Sequence, residues 1–397
     1  MSNEQSADWR SPKNLLLLAG ILFIALNLRP ALASIGPLVE DIRQATGLSS
    51  GALGLLTTLP LIAFGIISTL TPIFTNRFGI SGTLLGAMLL LTIGILVRSM
   101  DWIPALYIGT ILAGIAIAFG NVLLPSLTKQ RFSEKAGLVT SLYSSMMAGG
   151  AALAAGMSVP LMKMAGLGWR GSLVVWAILA FIALLLWLPQ LKRLPKESSK
   201  RNYWDAMRKL SGSRIAWLVA LFMGFQSFTF YVLLAWLPTI LQSRGLDAAT
   251  SGWLLSLSQG VGILGSMVVP IWAGRQNDQR WIVMILSAVE VISLIALFLP
   301  DLGGTAIWVS MIGFVLGGTF GLALLFIVLR SDSTAAATEL SGMAQSIGYV
   351  IAATGPILFG ALFDWTGSWT YPFILLFVVV VVKLFVGWGI GKNGVKD

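Results

Sequence analysis

The chain places a permanent cation where hydrocarbon is expected. Ile24-Ala25-Leu26-Asn27-Leu28-Arg29-Pro30-Ala31-Leu32 lies inside an apolar run from Leu15 to Val39, and Arg29 is the one formal charge in that run. Arg29 follows Lys13 by 16 residues, about 24 Å along a helix at ~1.5 Å per residue. It therefore falls past the centre of a hydrocarbon layer about 30 Å thick. On insertion scales an arginine at the helix centre costs about 2.5–3.5 kcal/mol, so it normally faces water or a partner. Its guanidinium is a rigid fork of donors that suits planar oxyanions. Pro30 has no N–H and frees the Leu26 carbonyl one turn back, and Asn27 sits close by on another face. The chemistry this predicts is capture of a small anion, or of a small planar solute that resembles one. The alternative is a structural arginine bonded to carbonyls of neighbouring helices.

Absent residue types narrow the function further. There are no cysteines and no histidines, which removes disulfides, thiolate chemistry, the commonest metal ligand and the usual proton relay. No phosphate-cradling glycine loop occurs. The chain is expected to be no enzyme and to use neither metal nor cofactor. Glu40, Asp41, Asp247, Asp332, Glu339 and Asp364 all fall at the ends of apolar runs or between them, so none is an obvious counter-charge for Arg29. Neutral groups that could complete a binding site are Asn121, Gln226, Tyr231, Gln259, Gln345 and Tyr349. Gln345 and Tyr349 are spaced i, i+4 and share a helix face. Each of the six has a packing alternative, and Trp236 reads as an interfacial anchor. Gly114, Gly120, Gly149, Gly150, Gly156, Gly313, Gly317, Gly318 and Gly321 read as close helix contacts.

The elements that must carry these residues are membrane spans. The chain has 397 residues, of which 56% are hydrophobic and only 11% charged, against about 25% charged in soluble domains. Apolar runs long enough to cross a bilayer recur over 15–39, 51–74, 80–98, 103–128, 136–162, 171–189, 214–241, 250–274, 281–299, 305–329, 336–362 and 371–391. One connection is long and basic, which divides the chain into an N-terminal six-helix bundle (1–190), a linker (191–213) and a C-terminal six-helix bundle (214–397). Within the linker, 203–210 reads as a short amphipathic helix on the membrane surface. Ala31-Leu32-Ala33 fits a cleavage pattern, but Arg29-Pro30 interrupts the apolar region before it, so the first span is expected to be retained.

The net charge of +10 does not point to nucleic acid, because basic residues cluster at the ends of apolar runs. Most lie on the side of the linker and both termini; only Arg43, Arg98, Lys163, Arg170 and Arg244 fall on the other. The positive-inside rule then puts both termini in the cytoplasm. Two charges lie deep in spans at matching depth, Glu290 and Lys383, and are expected to form a structural ion pair. The chain also repeats itself. Gly47-Leu48-Ser49, Gly54-Leu55-Leu56 and Pro72-Ile73-Phe74 recur as Gly245-Leu246-Asp247, Gly252-Trp253-Leu254 and Pro270-Ile271-Trp272, all at an offset of 198 residues. Parallel repeats of this kind are a transporter architecture with substrate held between the halves.

Twelve spans as six plus six, a basic linker and a parallel duplication resemble the major facilitator superfamily over the whole chain. Asn27-Leu28-Arg29-Pro30 with Gly36-Pro37-Leu38, Gly120-Asn121-Val122-Leu123-Leu124-Pro125 and Ser341-Gly342-Met343-Ala344-Gln345-Ser346 resemble its cyanate and 2-nitroimidazole transporter family. Thr75-Asn76-Arg77-Phe78-Gly79 departs from the superfamily pattern, with Asn76 where an acid is usual. The resemblance implies an all-α, twelve-helix secondary transporter of a bacterial cytoplasmic membrane. It would act as a monomer by alternating access on a small anionic or planar substrate, with no nucleic-acid partner. A proton-coupled drug or antibiotic efflux pump of the same fold is the alternative.

Overall fold

The computed structural model describes residues 11–48, 50–163, 166–193, 203–299 and 302–391; the middle of the basic linker, 194–202, and the outermost ends of the chain lie outside the described residues. Every regular element among the described residues is helical. The helices are α1 (Pro12–Asn27), α2 (Pro30–Ala33), α3 (Val39–Thr46), α4 (Ser50–Arg98), α5 (Ile103–Phe132), α6 (Ala136–Lys163), α7 (Gly168–Trp187), α8 (Gln190–Arg193), α9 (Tyr203–Gly212), α10 (Arg214–Gln242), α11 (Ala248–Gly274), α12 (Arg280–Phe298), α13 (Thr305–Leu329), α14 (Thr334–Thr366) and α15 (Thr370–Gly391). Ten apolar helical stretches are long enough to cross a bilayer, and two of them, Leu55–Arg98 with 44 residues and Ile103–Lys163 with 61, hold two crossings each. Twelve spans result.

The structure refines the first and second spans. The run 15–39 is not one helix. Ser11 caps α1 through its side chain, and the helix ends at Asn27. Pro30 then opens α2, a single turn of four residues, and Gly36-Pro37 forces a 3-10 turn at Gly36–Leu38. A proline contributes no N–H to the turn before it, so a helix with Pro30 and Pro37 breaks at each. At 75–79, where the second and third spans are expected to join, two helices meet directly, and the backbone breaks at Gly79 (φ 73°, ψ 169°). Only glycine takes that conformation without steric cost.

Small residues set the spacing of the spans. A Cβ on Gly317 would lie 1.8 Å from the Gly262 carbonyl, and one on Gly265 1.9 Å from that of Phe314, so α11 and α13 touch backbone to backbone. Gly114, Gly120, Gly150, Gly313, Gly318 and Gly321 also meet neighbours at close range, whereas Gly149 and Gly156 face open space. For these two the packing expectation fails, because they lie on faces of α6 that no neighbouring helix covers.

The first six spans meet the last six through α4 against α14 and α6 against α11. On the linker side, Ser141 donates to the Met267 carbonyl at 2.5 Å and Ser144 to that of Ser266 at 3.1 Å. Ser346 donates to the Gly65 carbonyl. Four residues before each outer serine stands a glycine. A Cβ on Gly137 would be 2.3 Å from the Pro270 carbonyl, and one on Gly342 2.5 Å from that of Ser68. Two Gly-x-x-x-Ser segments thus lock two partner helices by the same device, and the fold is closed toward the linker.

Candidate functional site

Arg29 occupies the break between α1 and α2 and caps α2, its carbonyl accepting from the N–H groups of Leu32 and Ala33 at 3.0 Å each. Released from the helix, its side chain reaches across to the other half of the chain. The guanidinium carbon lies 5.5 Å from the ring centroid of Phe320 on α13, a cation–π distance. The guanidinium also hydrogen-bonds the phenol groups of Tyr231 on α10 and Tyr349 on α14. No carboxylate of the described residues acts on it. The residue is half-buried and keeps some contact with solvent.

Tyr349 is the second centre. Its ring packs at 4.8 Å on Phe64 of α4, tilted by 48°. Its oxygen accepts from Asn121 Nδ2 at 3.1 Å and from Arg29. A phenol oxygen accepts two hydrogen bonds and donates one. Both acceptor positions being taken, the Tyr349 proton is left to donate. Asn121 Oδ1 is buried with no partner among the described residues. The arrangement therefore offers mainly donors: a guanidinium, two phenols and an amide, floored by Phe64 and Phe320. Chemically it can hold an electron-rich planar group, and it contains no group that could act as a general base.

The structure brings Arg29, Asn121, Tyr231 and Tyr349 into one cluster. Gln345, one turn before Tyr349, is buried on α14. The others are engaged elsewhere or lie apart. Asn27 donates to the carbonyls of Phe23 (2.8 Å) and Leu179 (3.2 Å), which ties α1 to α7. Gln226 donates within its own helix, to the Met223 carbonyl at 3.1 Å and to Ser227 Oγ at 2.6 Å. Gln259 is half-buried on α11 and has no hydrogen bond to the cluster. Trp236, near the outer end of α10, donates its indole N–H to the Pro356 carbonyl at 3.0 Å, and its ring packs among Phe359 and Trp369. Phe64 and Phe320 were not singled out from sequence. The only hint was an aromatic set among glycines in Gly317-Gly318-Thr319-Phe320-Gly321.

Away from this cluster, Lys383 Nζ lies 2.5 Å from Glu290 Oε2, joining α15 to α12, and both side chains have no exposed surface. Glu290 Oε1 has no partner among the described residues.

Comparison with known proteins places this geometry. The family model described as Major Facilitator Superfamily matches residues 15–353. The chain is 44% identical over 381 residues to the uncharacterized transporter YycB of Bacillus subtilis (strain 168), covering 95% of this chain and 94% of that protein. It is 38% identical over 385 residues to the 2-nitroimidazole transporter of Escherichia coli (strain K12), covering 96% and 97%. With the cyanate transport protein CynX of the same organism it shares 28% over 373 residues, covering 93% and 96%. Among solved structures, the transporter FucP in its outward conformation superposes with a TM-score of 0.76 at 12% identity, covering 95% of this chain and 99% of that one.

Proposed function

Because the chain belongs to the Major Facilitator Superfamily and is a multi-pass membrane transporter, we propose that its cargo is a small anion or small planar organic solute received by Arg29. One observation carries this reading. Arg29 stands where the two halves of the chain meet, engaged by two phenols and an aromatic face but by no carboxylate of the described residues. A guanidinium held largely out of water with no counter-charge is costly. A bound anion neutralises it through charge-assisted, bidentate hydrogen bonds. The names of two relatives agree, since cyanate and 2-nitroimidazole are both small, with electron-rich ends.

The same contacts couple binding to movement. Arg29 belongs to the first half, while Tyr231 and Tyr349 belong to the second. An anion that takes over the guanidinium weakens the Arg29–phenol bonds and so shifts the balance between the two arrangements of the halves. In this proposal 1–190 and 214–397 move as two bundles about the basic linker 191–213. The basic residues on the linker side put both termini in the cytoplasm of a bacterial cell, and the linker-closed structure then faces outward. The protein acts as a monomer.

Uptake of cyanate and of 2-nitroimidazole into proteoliposomes tests the reading. Arg29→Gln should lower uptake of the transported solute at least about tenfold, equivalent to losing one charge-assisted bond. Arg29→Lys, which keeps the charge and loses the fork, should fall between. Undiminished uptake by Arg29→Ala would end the proposal.

A further inference from the structure

Arg98 ends α4, where an arginine normally marks the polar flank of a span, yet its side chain turns inward and is only 1% exposed. One terminal nitrogen, Nη1, donates to the Ala31 carbonyl, and the other, Nη2, lies 3.4 Å from Ser34 Oγ. Both acceptors belong to the single turn that begins at Arg29: Ala31 lies in α2, and Ser34 is its C-cap.

That turn needs an external hold. A helix of four residues has no stability of its own, and its last carbonyls find no partner inside it. The backbone leaves the Ala31 carbonyl open, because the Ser34 N–H goes to Pro30 and the Ile35 N–H to Leu32. Arg98 supplies the missing donor, and its charge sits at the C-terminal end of the turn, where a cation is favoured. Its base is rigid. A Cβ on Gly109 of α5 would lie 2.3 Å from the Arg98 backbone nitrogen and 2.4 Å from the Gly94 carbonyl, so α4 and α5 are in backbone contact there. Across the break, Gly150 of α6 leaves room for the Leu26 carbonyl, 2.3 Å from where a Cβ would stand. The segment 26–34 is held between α6 on one side and Arg98 on the other.

We propose that Arg98 is a positioning residue for Arg29: by fixing α2 from below, it sets where the Arg29 guanidinium stands between the halves. The inference rests on the reading of Arg29 as the substrate cation. Because the chain has no cysteine, a thiol placed at Leu32 on α2 reports on that turn alone. Its reaction with N-ethylmaleimide is compared in native, Arg98→Met and Arg98→Lys backgrounds, alongside KM and maximal rate for whichever of cyanate and 2-nitroimidazole is taken up. Arg98→Met should speed labelling about tenfold and raise KM about tenfold, while the maximal rate changes less than about twofold. Arg98→Lys should recover part of both. If Arg98→Met fails to fold, Ser34→Ala removes one of the two contacts and should move both readouts the same way, about threefold.

Unchanged labelling overturns the proposal, and so does faster labelling with unchanged KM, which would make Arg98 structural only. Labelling needs no substrate. A chain whose uptake ignores Arg29→Ala, while its labelling responds to Arg98→Met, would therefore lose the Arg29 reading and keep the hold on α2.

Discussion

Breaking the Glu290–Lys383 pair gives the sharpest energetic test of the fold. The two groups are 2.5 Å apart with no exposed surface, so neither can turn to water when the other is removed. Lys383→Met preserves most of the volume and strands the carboxylate. Removing one partner of a buried pair costs about 3–5 kcal/mol, a fall in unfolding midpoint of about 4–6 °C for a chain of this length. Replacing both should behave differently. Glu290 Oε1 has no partner among the described residues, so the pair is incompletely satisfied, and an apolar substitute of similar volume is often neutral or better. Glu290→Leu, Lys383→Met should therefore unfold within about 1 kcal/mol of the native chain.

Near-ultraviolet circular dichroism in detergent, at one fixed scan rate because unfolding of such chains is commonly irreversible, measures all three forms. Equal loss in single and double variants would refute the reasoning.

Two further outcomes follow from the contacts between the halves. Gly137→Val puts a branched side chain against the Pro270 carbonyl, which cannot yield. Overpacking of about 1–3 kcal/mol should disfavour the linker-closed form, and a thiol at Ser266, 2% exposed here, should become reactive to a membrane-impermeant maleimide. Asn121→Asp places a carboxylate one phenol away from Arg29. It should act as a built-in counter-charge and lower anion uptake at least about tenfold, with a smaller loss in Asn121→Ala; equal uptake in all three chains would contradict a site that recognises its cargo through donors.

Much of the architecture is readable along the chain because it rests on local properties. The length and apolarity of each run dictate a span, Pro30 frees a carbonyl beside Arg29, and the duplicated Gly-Leu and Pro-Ile segments show the repeat. The reach of that logic ends where helices must be rotated about their axes. These spans are apolar on nearly every face, and without an amphipathic stripe the sequence does not say which face turns inward. Asn27 and Gln226 are polar residues in spans just as Asn121 is, yet only packing shows that they are spent on carbonyls of Phe23, Leu179 and Met223. Arg98 counts among the flanking basic residues in sequence, and only the backbone contact of Gly94 with Gly109 turns it beneath α2.

By itself, then, the sequence determined that this chain is a twelve-span membrane protein with a lone cation in its first span, since hydrophobicity, proline and charge act on the residues that carry them. The tertiary structure alone decided that two phenols from the other half close on that cation, and that serines and glycines of α6 and α14 seal the linker side. Those arrangements depend on how separate helices dock. Docking is governed by surfaces more than a hundred residues apart in the chain, which no local pattern encodes.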